Sequence, residues 1–140
     1  MNTILVVEDD KKTAAALAIR ITAAGYTVLT APDGLEGLKL AIRHRPDLIL
    51  MDVWMPGGLG FLTAQRLKHV GLENIPVIFL TAGKEKDLWK IAAEVGAAGF
   101  FEKPYDPKQL LQCIALTLAR APSLASPSAA RPQPSKPNRS

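Results

Sequence analysis

The chain has 140 residues, 48% of them hydrophobic and 21% charged, which is the size and composition of one ordinary globular domain. Its apolar runs are far shorter than the ~18 residues of a membrane span, and its one cysteine, Cys113, excludes an internal disulfide, so a cytoplasmic protein without membrane contact is expected. The formal net charge of +4 lies mostly in residues 121–140, and the nearly balanced remainder has no basic stripe for contact with nucleic acid.

Apolar periodicity predicts a strand followed by a helix, repeated along the chain. The strands are expected at residues 3–7, 26–31, 48–51, 76–80 and 99–102. The helices are expected at residues 11–24, from the Asp33 cap to His44, at 61–70, at 84–95, and from the Asp106 cap to Leu118. This alternation predicts a parallel sheet with helices on both faces, joined by right-handed crossovers.

The spacing of apolar residues also predicts which face of each helix is buried. On the second helix the residues expected to face the core are Leu35, Leu38, Ala41 and Ile42, and on the fourth they are Leu88, Ile91, Ala92 and Val95. Asp10 is expected to cap the first helix rather than bind a metal. His44 and His69 are expected to be solvated helix ends.

The composition changes beyond Arg120, where prolines lie among serine, alanine and basic residues. Such a segment cannot bury enough apolar surface to order itself, so residues 121–140 are predicted to be a disordered tail or linker after a domain of residues 1–120. No further domain pattern follows Arg120, which fits a stand-alone domain. The linker-like composition also fits a domain excised from a longer protein.

Polar side chains follow the carboxyl ends of four predicted strands. Glu8 and Asp9 follow the first strand, Asp52 ends the third, and Thr81 and Lys103 follow the fourth and fifth. Parallel strands bring these ends to one edge of the sheet, where ligands bind in folds of this class. Carboxylates suit Mg²⁺ or Mn²⁺, while a hydroxyl and an ammonium suit a phosphoryl group. A structural ion-pair network is the alternative interpretation.

Four short motifs carry a family resemblance. The chain resembles the receiver domain of bacterial two-component response regulators in four motifs that occur in this order: Val7-Glu8-Asp9, Asp52 followed by Met55-Pro56, Thr81-Ala82 and Lys103-Pro104. The resemblance covers residues 3–119 and implies a doubly wound (βα)5 flavodoxin-like three-layer sandwich, with a five-stranded parallel sheet of order 2-1-3-4-5. Leu59 departs from the family pattern at a position where an acid is common.

The resemblance implies a phosphoacceptor site. Asp52 would accept a phosphoryl group from a phosphohistidine on a sensor histidine kinase or a phosphotransfer protein. Mg²⁺ (or Mn²⁺) would be bound by Asp9, Asp52 and the backbone carbonyl of Trp54, with Glu8 acting through a water. The chain would then be a signalling domain with self-phosphorylation and autodephosphorylation activity, rather than an enzyme that acts on a separate substrate.

The same resemblance implies a switch and an output surface. Lys103 would pair with the phosphoacceptor and then with a phosphoryl oxygen, and Thr81 would move toward the phosphate while Phe100 rotates inward. This would alter the surface of helix four, strand five and helix five, through which the domain would form a homodimer or bind an output partner. Trp89 and Tyr105 are candidate contact residues there. Packing at the edge of the core is the alternative for Trp89 and likewise for Tyr105, and a plain core role is the alternative for Phe100.

Two other functions share parts of this pattern. A haloacid-dehalogenase-like phosphatase also uses a strand-end aspartate with Mg²⁺, but it needs a second acid two residues on, where this chain has Trp54. A flavodoxin-like FMN carrier shares the topology, but no Ser/Thr-rich phosphate loop follows the first strand. The residues therefore favour the receiver interpretation over both.

Trp54 is expected to lengthen the lifetime of the phosphoryl group, because an indole two residues after the phosphoacceptor can hinder an incoming water. Trp54→Asn should therefore lose its phosphoryl group faster than the parent, with the open position Gly83 offsetting part of the effect. The measurement is the decay of phosphorylated protein after the donor is removed. A variant that decays no faster than the parent would contradict this role for the indole.

Overall fold

The computed structural model describes residues 2–55, 58–82 and 88–120. Its main sheet has five parallel strands, β1 (Thr3–Val7), β2 (Thr27–Ala31), β3 (Leu48–Asp52), β4 (Val77–Thr81) and β5 (Gly99–Glu102). Their order across the sheet is β2-β1-β3-β4-β5, which confirms the predicted doubly wound topology. The predicted tail, residues 121–140, lies outside the described residues.

Helices connect the strands in the part of the chain that the structure describes. They are α1 (Lys11–Ala23), α2 (Gly34–His44), α3 (Gly60–His69), α4 (Leu88–Glu94) and α5 (Pro107–Arg120). The predicted start of α4, at 84–87, lies outside the described residues. None of these helices is long and apolar enough to cross a membrane.

Aspartate caps begin three of the helices, as predicted. The carboxylate of Asp10 accepts from the backbone N–H of Lys12 at 3.0 Å, that of Asp33 from Glu36 at 2.9 Å, and that of Asp106 from Lys108 at 2.9 Å. Each cap satisfies an N–H group that has no partner within its helix. His44 and His69, the last residues of α2 and α3, are exposed as predicted.

Helices cover both faces of the sheet, so the core has two halves. β3 is buried along its whole length because it lies between β1 and β4 and under helices on either side. The half beneath α1 and α5 contains Leu17, Ile21, Leu110 and Ile114. The half beneath α2, α3 and α4 contains Ala41, Phe61, Leu67, Phe79 and Ala92. This is the expected three-layer sandwich.

The predicted buried face of α2 is wrong in part. Leu35 and Ile42 are 56% and 49% exposed, whereas Gly34, Gly37 and Ala41 face the core. The reason is close packing on β1, since a Cβ at Gly37 would lie 2.8 Å from a methyl carbon of Val7. Only small residues fit at that distance, so Gly34, Gly37 and Ala41 form the centre of the buried face, while Leu38 packs at its edge as predicted and Leu35 and Ile42 point outward.

The predicted buried face of α4 needs one correction. Leu88 and Ala92, one helical turn apart, are buried, but Ile91 is 41% exposed. Val95 follows the helix and packs against the same half of the core in part. Ile91 therefore lies at the border of a face whose centre is formed by Leu88 and Ala92.

A short hairpin returns the chain from the end of β3 to the start of α3. Trp54 pairs with Leu59 and Met55 pairs with Gly58 in antiparallel register, and the N–H of Gly60 donates to the carbonyl of Val53 at 2.8 Å. Pro56 and Gly57 lie outside the described residues. The segment predicted only as a Gly-rich loop is thus closed at its base, directly beyond Asp52.

Candidate functional site

Three acidic side chains meet at the carboxyl edge of the sheet. β1 and β3 are neighbours in register, with Val7 opposite Met51, so the residues that end them lie side by side. One carboxylate oxygen from each of Glu8, Asp9 and Asp52 lies within 4.8 Å of the others. Such a set of hard oxygen donors fits Mg²⁺ or Mn²⁺. The predicted convergence of these three residues is therefore present in the fold.

Lys103 joins the acidic cluster from β5, the edge strand on the other side of β4 from Asp52. It follows β5, where its backbone N–H donates to the carbonyl of Thr81 at 2.7 Å, and its peptide bond to Pro104 is cis. Its side chain reaches past β4, so that Nζ donates to Glu8 Oε1 at 3.0 Å and to Asp52 Oδ2 at 3.3 Å. One ammonium is thus shared between two carboxylates.

Sequence reasoning missed the contact between Lys103 and Glu8. The resemblance implied a pair between Lys103 and Asp52, but the distance from Nζ to Glu8 is the shorter of the two. A signal was present in the chain, because the first acid is a glutamate, whose extra methylene extends its carboxylate. Its second oxygen, Oε2, accepts from the backbone N–H of Asp10 at 3.2 Å, which fixes the side chain against the start of α1.

Burial dominates the electrostatics of the site. Glu8 and Asp52 are only 4% and 6% exposed. Burial is the largest cause that raises the pKa of Glu8 from 4.5 to about 7; the charge of Asp52 adds to it, and the hydrogen bonds from Lys103 and from the Asp10 N–H oppose it. Burial alone would lower the pKa of Lys103, but the hydrogen bond to Glu8 and the charge of Asp52 outweigh it and raise that pKa. Lys103 therefore remains charged beside Glu8, a carboxylate that is costly to ionise.

Replacing Glu8 with glutamine should stabilise the metal-free fold by about 1–2 kcal/mol at pH 8, since a buried charge is removed while one of two side-chain hydrogen bonds is lost. Because the pKa of Glu8 is raised from 4.5 to about 7 in the fold, the folded parent binds its proton more tightly and loses stability as pH rises through that range. The advantage of Glu8→Gln should therefore be absent below the lower value and complete above the upper one.

Urea unfolding in EDTA at several pH values measures this difference. The matched control is Glu36→Gln, because Glu36 is a half-exposed glutamate of α2 whose carboxylate forms a surface ion pair with Lys39 at 3.5 Å. That change should alter stability by less than about 0.5 kcal/mol. Equal effects of the two substitutions, or a loss of stability in Glu8→Gln at pH 8, would contradict the conclusion that the buried charge of Glu8 destabilises the fold.

The other predicted site residues lie around this cluster. Thr81, the last residue of β4, is fully buried at the same edge of the sheet, one position beyond the residue that pairs with Asp52. The backbone of Trp54 lies in the hairpin that begins two residues after Asp52. The predicted roles of these two residues in phosphoryl and metal binding stay predictions.

The predicted switch and interface residues are partly buried. Phe100 on β5 is opposite Phe79 in register and packs against the core half beneath α2, α3 and α4. Trp89 on α4 has the ammonium of Lys90 5.7 Å from its ring centroid. Tyr105 packs edge to face on Phe101 with ring centroids 6.1 Å apart. Cys113 packs half-buried against the core half beneath α1 and α5.

Comparison with known proteins yields one family. A family model described as "Response regulator receiver domain" matches residues 4–115. The phosphate regulon transcriptional regulatory protein PhoB of Pseudomonas aeruginosa is 36% identical over 119 residues, which are 84% of this chain and 52% of that protein. The probable transcriptional regulator ycf29 of Pyropia yezoensis is 40% identical over 84% of this chain and 53% of its own length. The chain thus spans about half the length of the curated relatives it matches.

Solved structures of response regulators have the same fold as this chain. A putative response regulator from Chloroflexus aurantiacus superposes with a TM-score of 0.79 at 32% identity, covering 85% of this chain and 98% of that one. The chemotaxis protein CheY4 of Vibrio cholerae superposes with a TM-score of 0.76 at 31% identity, covering 83% of this chain and 98% of that one. Both structures align with this chain over nearly their whole length.

Proposed function

The chain belongs to the family of response regulator receiver domains, and we propose that Asp52 accepts a phosphoryl group from a phosphohistidine on a sensor histidine kinase or a phosphotransfer protein. The observation that supports this most directly is the position of Asp52, a buried carboxylate within 3.3 Å of an ammonium and clustered with two further acids. Phosphoryl transfer needs in-line positioning and charge neutralisation more than covalent chemistry from the protein. The Lys103 ammonium, together with a cation held by the acids, would supply the charge neutralisation.

The donor set fits a divalent cation. Asp9 and Asp52 would hold Mg²⁺ or Mn²⁺ with the backbone carbonyl of Trp54, and Glu8 would act through a water. Once bound, the cation would neutralise charge on the transferring phosphoryl group and on the carboxylates. Glu8 has a second task, because it accepts hydrogen bonds from Lys103 Nζ and from the Asp10 N–H and so holds the lysine beside the acceptor.

The proposed transfer of the phosphoryl group is a single displacement at phosphorus. A carboxylate oxygen of Asp52 forms a bond to phosphorus while the bond from phosphorus to the imidazole nitrogen breaks, and the imidazole, protonated at its other nitrogen, leaves as a neutral ring with the bonding electron pair. The ammonium of Lys103 and the hydroxyl of Thr81 would each bind a phosphoryl oxygen, as the resemblance implies. Attack by water on the acyl phosphate would later release inorganic phosphate and return the free carboxylate, which is the autodephosphorylation expected of a phosphoacceptor domain.

The signal would leave through the surface of α4, β5 and α5. Phe100 lies on β5, one strand of this surface, and is partly buried against the core, so a change of its packing would alter the surface. Trp89 and Tyr105 are the proposed contact residues for a second copy or an output partner. We also propose that residues 1–120 form the receiver domain and residues 121–140 a tail or linker, in a stand-alone protein or in part of a larger regulator. A cytoplasmic location and the absence of nucleic-acid contact by this domain are proposed as well.

Acetyl phosphate tests the proposal on the full chain. With Mg²⁺ the intact mass should rise by one phosphoryl group, and the adduct should survive acid but be lost in alkali, as an acyl phosphate is. EDTA should prevent its formation. The absence of an adduct at any Mg²⁺ concentration would overturn the proposal, and steady turnover of a phosphomonoester would instead revive the phosphatase interpretation.

A further inference from the structure

Gly60, the first residue of α3, lies against the backbone of Asp52. A Cβ built at Gly60 would lie 2.5 Å from the carbonyl oxygen of Asp52, 3.2 Å from Cα of Val53 and 3.2 Å from Cγ of Met51. A separation below 3.0 Å from a backbone atom cannot be relieved by rotation of a side chain. The glycine is therefore required by space, at the residue that carries the acceptor carboxylate.

The peptide that Gly60 contacts is fixed on its other side as well. The N–H of Val53 belongs to the same peptide as the Asp52 carbonyl and donates to the carbonyl of Leu80 on β4 at 2.9 Å. The carbonyl of Val53 in turn accepts from the N–H of Gly60 at 2.8 Å. The last peptide of β3 thus lies between the adjacent strand and the first turn of α3, and Gly60 lets α3 approach it.

From this arrangement, and on the premise that the proposed function is correct, we infer that Gly60 is a positioning residue for the metal and phosphoacceptor site. Any larger residue must displace either the Asp52–Val53 peptide or the base of the hairpin. The first displacement moves the Asp52 carboxylate, whose Oδ2 is 3.3 Å from Lys103 Nζ. The second moves the backbone of Trp54, the predicted carbonyl ligand, which pairs with Leu59 directly before Gly60.

The test compares Gly60→Ala with Gly71→Ala in the full chain. Gly71 follows the opposite end of the same helix and has φ of +83°, and a Cβ built there would have no described atom beyond its chain neighbours within 4 Å. Alanine at position 71 therefore strains the backbone without displacing a neighbour. Both variants should have a lower Tm. Only Gly60→Ala should weaken binding of Mn²⁺, measured by electron paramagnetic resonance, by about tenfold or more, as loss of an orienting contact does.

A measurement on the parent keeps the inference testable if Gly60→Ala does not fold. In ¹⁵N spectra, Mg²⁺ should shift the amide resonances of Gly60 and Val53 as strongly as that of Asp52, while that of Gly71 stays in place. Equal Mn²⁺ affinity in the two variants, or a Gly60 resonance that does not respond to Mg²⁺, would overturn the inference.

Failure of this inference is distinguishable from failure of the proposed function. The parent is treated with acetyl phosphate in the same series, and its adduct reports on the proposed function alone. A parent that forms the adduct beside a Gly60→Ala variant with unchanged metal affinity overturns only the role of Gly60. A parent that forms no adduct overturns the proposed function, whatever the affinities are.

Discussion

Asp52→Asn is expected to abolish the phosphoryl adduct completely. An amide oxygen is too weak a nucleophile to attack phosphorus, and no neighbouring acid can replace it, because Glu8 is engaged by Lys103 and Asp10 through both of its oxygens. Asp9 is exposed and lies beyond the end of β1, without the direct contact to Lys103 that Asp52 has. Intact mass after incubation with acetyl phosphate and Mg²⁺ measures the loss.

The matched control for this loss is Asp106→Asn. It makes the same chemical change at the cap of α5, where asparagine also accepts the hydrogen bond that Asp106 takes from Lys108. This variant should form the adduct to the same extent as the parent. An adduct on Asp52→Asn, or its loss from Asp106→Asn, would mean that the phosphoryl group is attached elsewhere.

Loss of fold is not expected to explain the result, because asparagine has the shape of aspartate and removes one of two carboxylates that share the ammonium of Lys103. The remaining pair, Lys103 with Glu8 at 3.0 Å, is the shorter of the two. In EDTA, Asp52→Asn should therefore be at least as stable as the parent, since an ionised carboxylate that is only 6% exposed is costly to keep. Urea unfolding measured beside the mass assay separates folding from chemistry.

The sequence was sufficient to predict the sheet and the edge at which the acids meet. A continuous apolar run such as residues 48–51, closed by a charged residue, has few stable environments other than a central parallel strand. Once the strands are parallel, the residues that follow them are bound to share one edge. The helix caps were predictable for a related reason, since each depends on one side chain and a backbone group two or three positions away.

What the sequence did not reveal depends on distances between elements. The rotation of α2 follows from how closely Gly37 lies on Val7, and hydrophobicity alone ranks Leu35 and Ile42 above a glycine. The contact of Gly60 with the Asp52 carbonyl joins residues on either side of a hairpin whose geometry the loop composition does not specify. The shared position of Lys103 depends on side-chain reach across β4. In each case the sequence contains the residue, but its contacts depend on how the helices and strands pack against one another.

Lys103→Met is expected to change phosphorylation and metal binding in opposite directions. The ammonium lies 3.0 Å from Glu8 and 3.3 Å from Asp52, so its removal frees both carboxylates for a cation and should tighten Mn²⁺ binding. Transfer from acetyl phosphate should nevertheless slow by about 10²–10³-fold, since a positive charge aimed at the transferring oxygens is lost. Methionine retains the apolar length of the lysine side chain, so packing is largely preserved.

Two further variants make this result specific to the ammonium at position 103. Lys108→Met removes an exposed lysine near the start of α5 and should leave both quantities unchanged. Lys103→Arg keeps the charge but not the compact geometry, so its Mn²⁺ affinity should stay closer to that of the parent than the affinity of Lys103→Met does. Rates are measured at saturating Mg²⁺, because the bound cation then offsets the charge of the two acids that have lost the lysine. Circular dichroism checks that each variant is folded. A Lys103→Met variant that transfers at the parental rate, or binds Mn²⁺ more weakly, would show that the lysine serves the fold rather than the phosphoryl group.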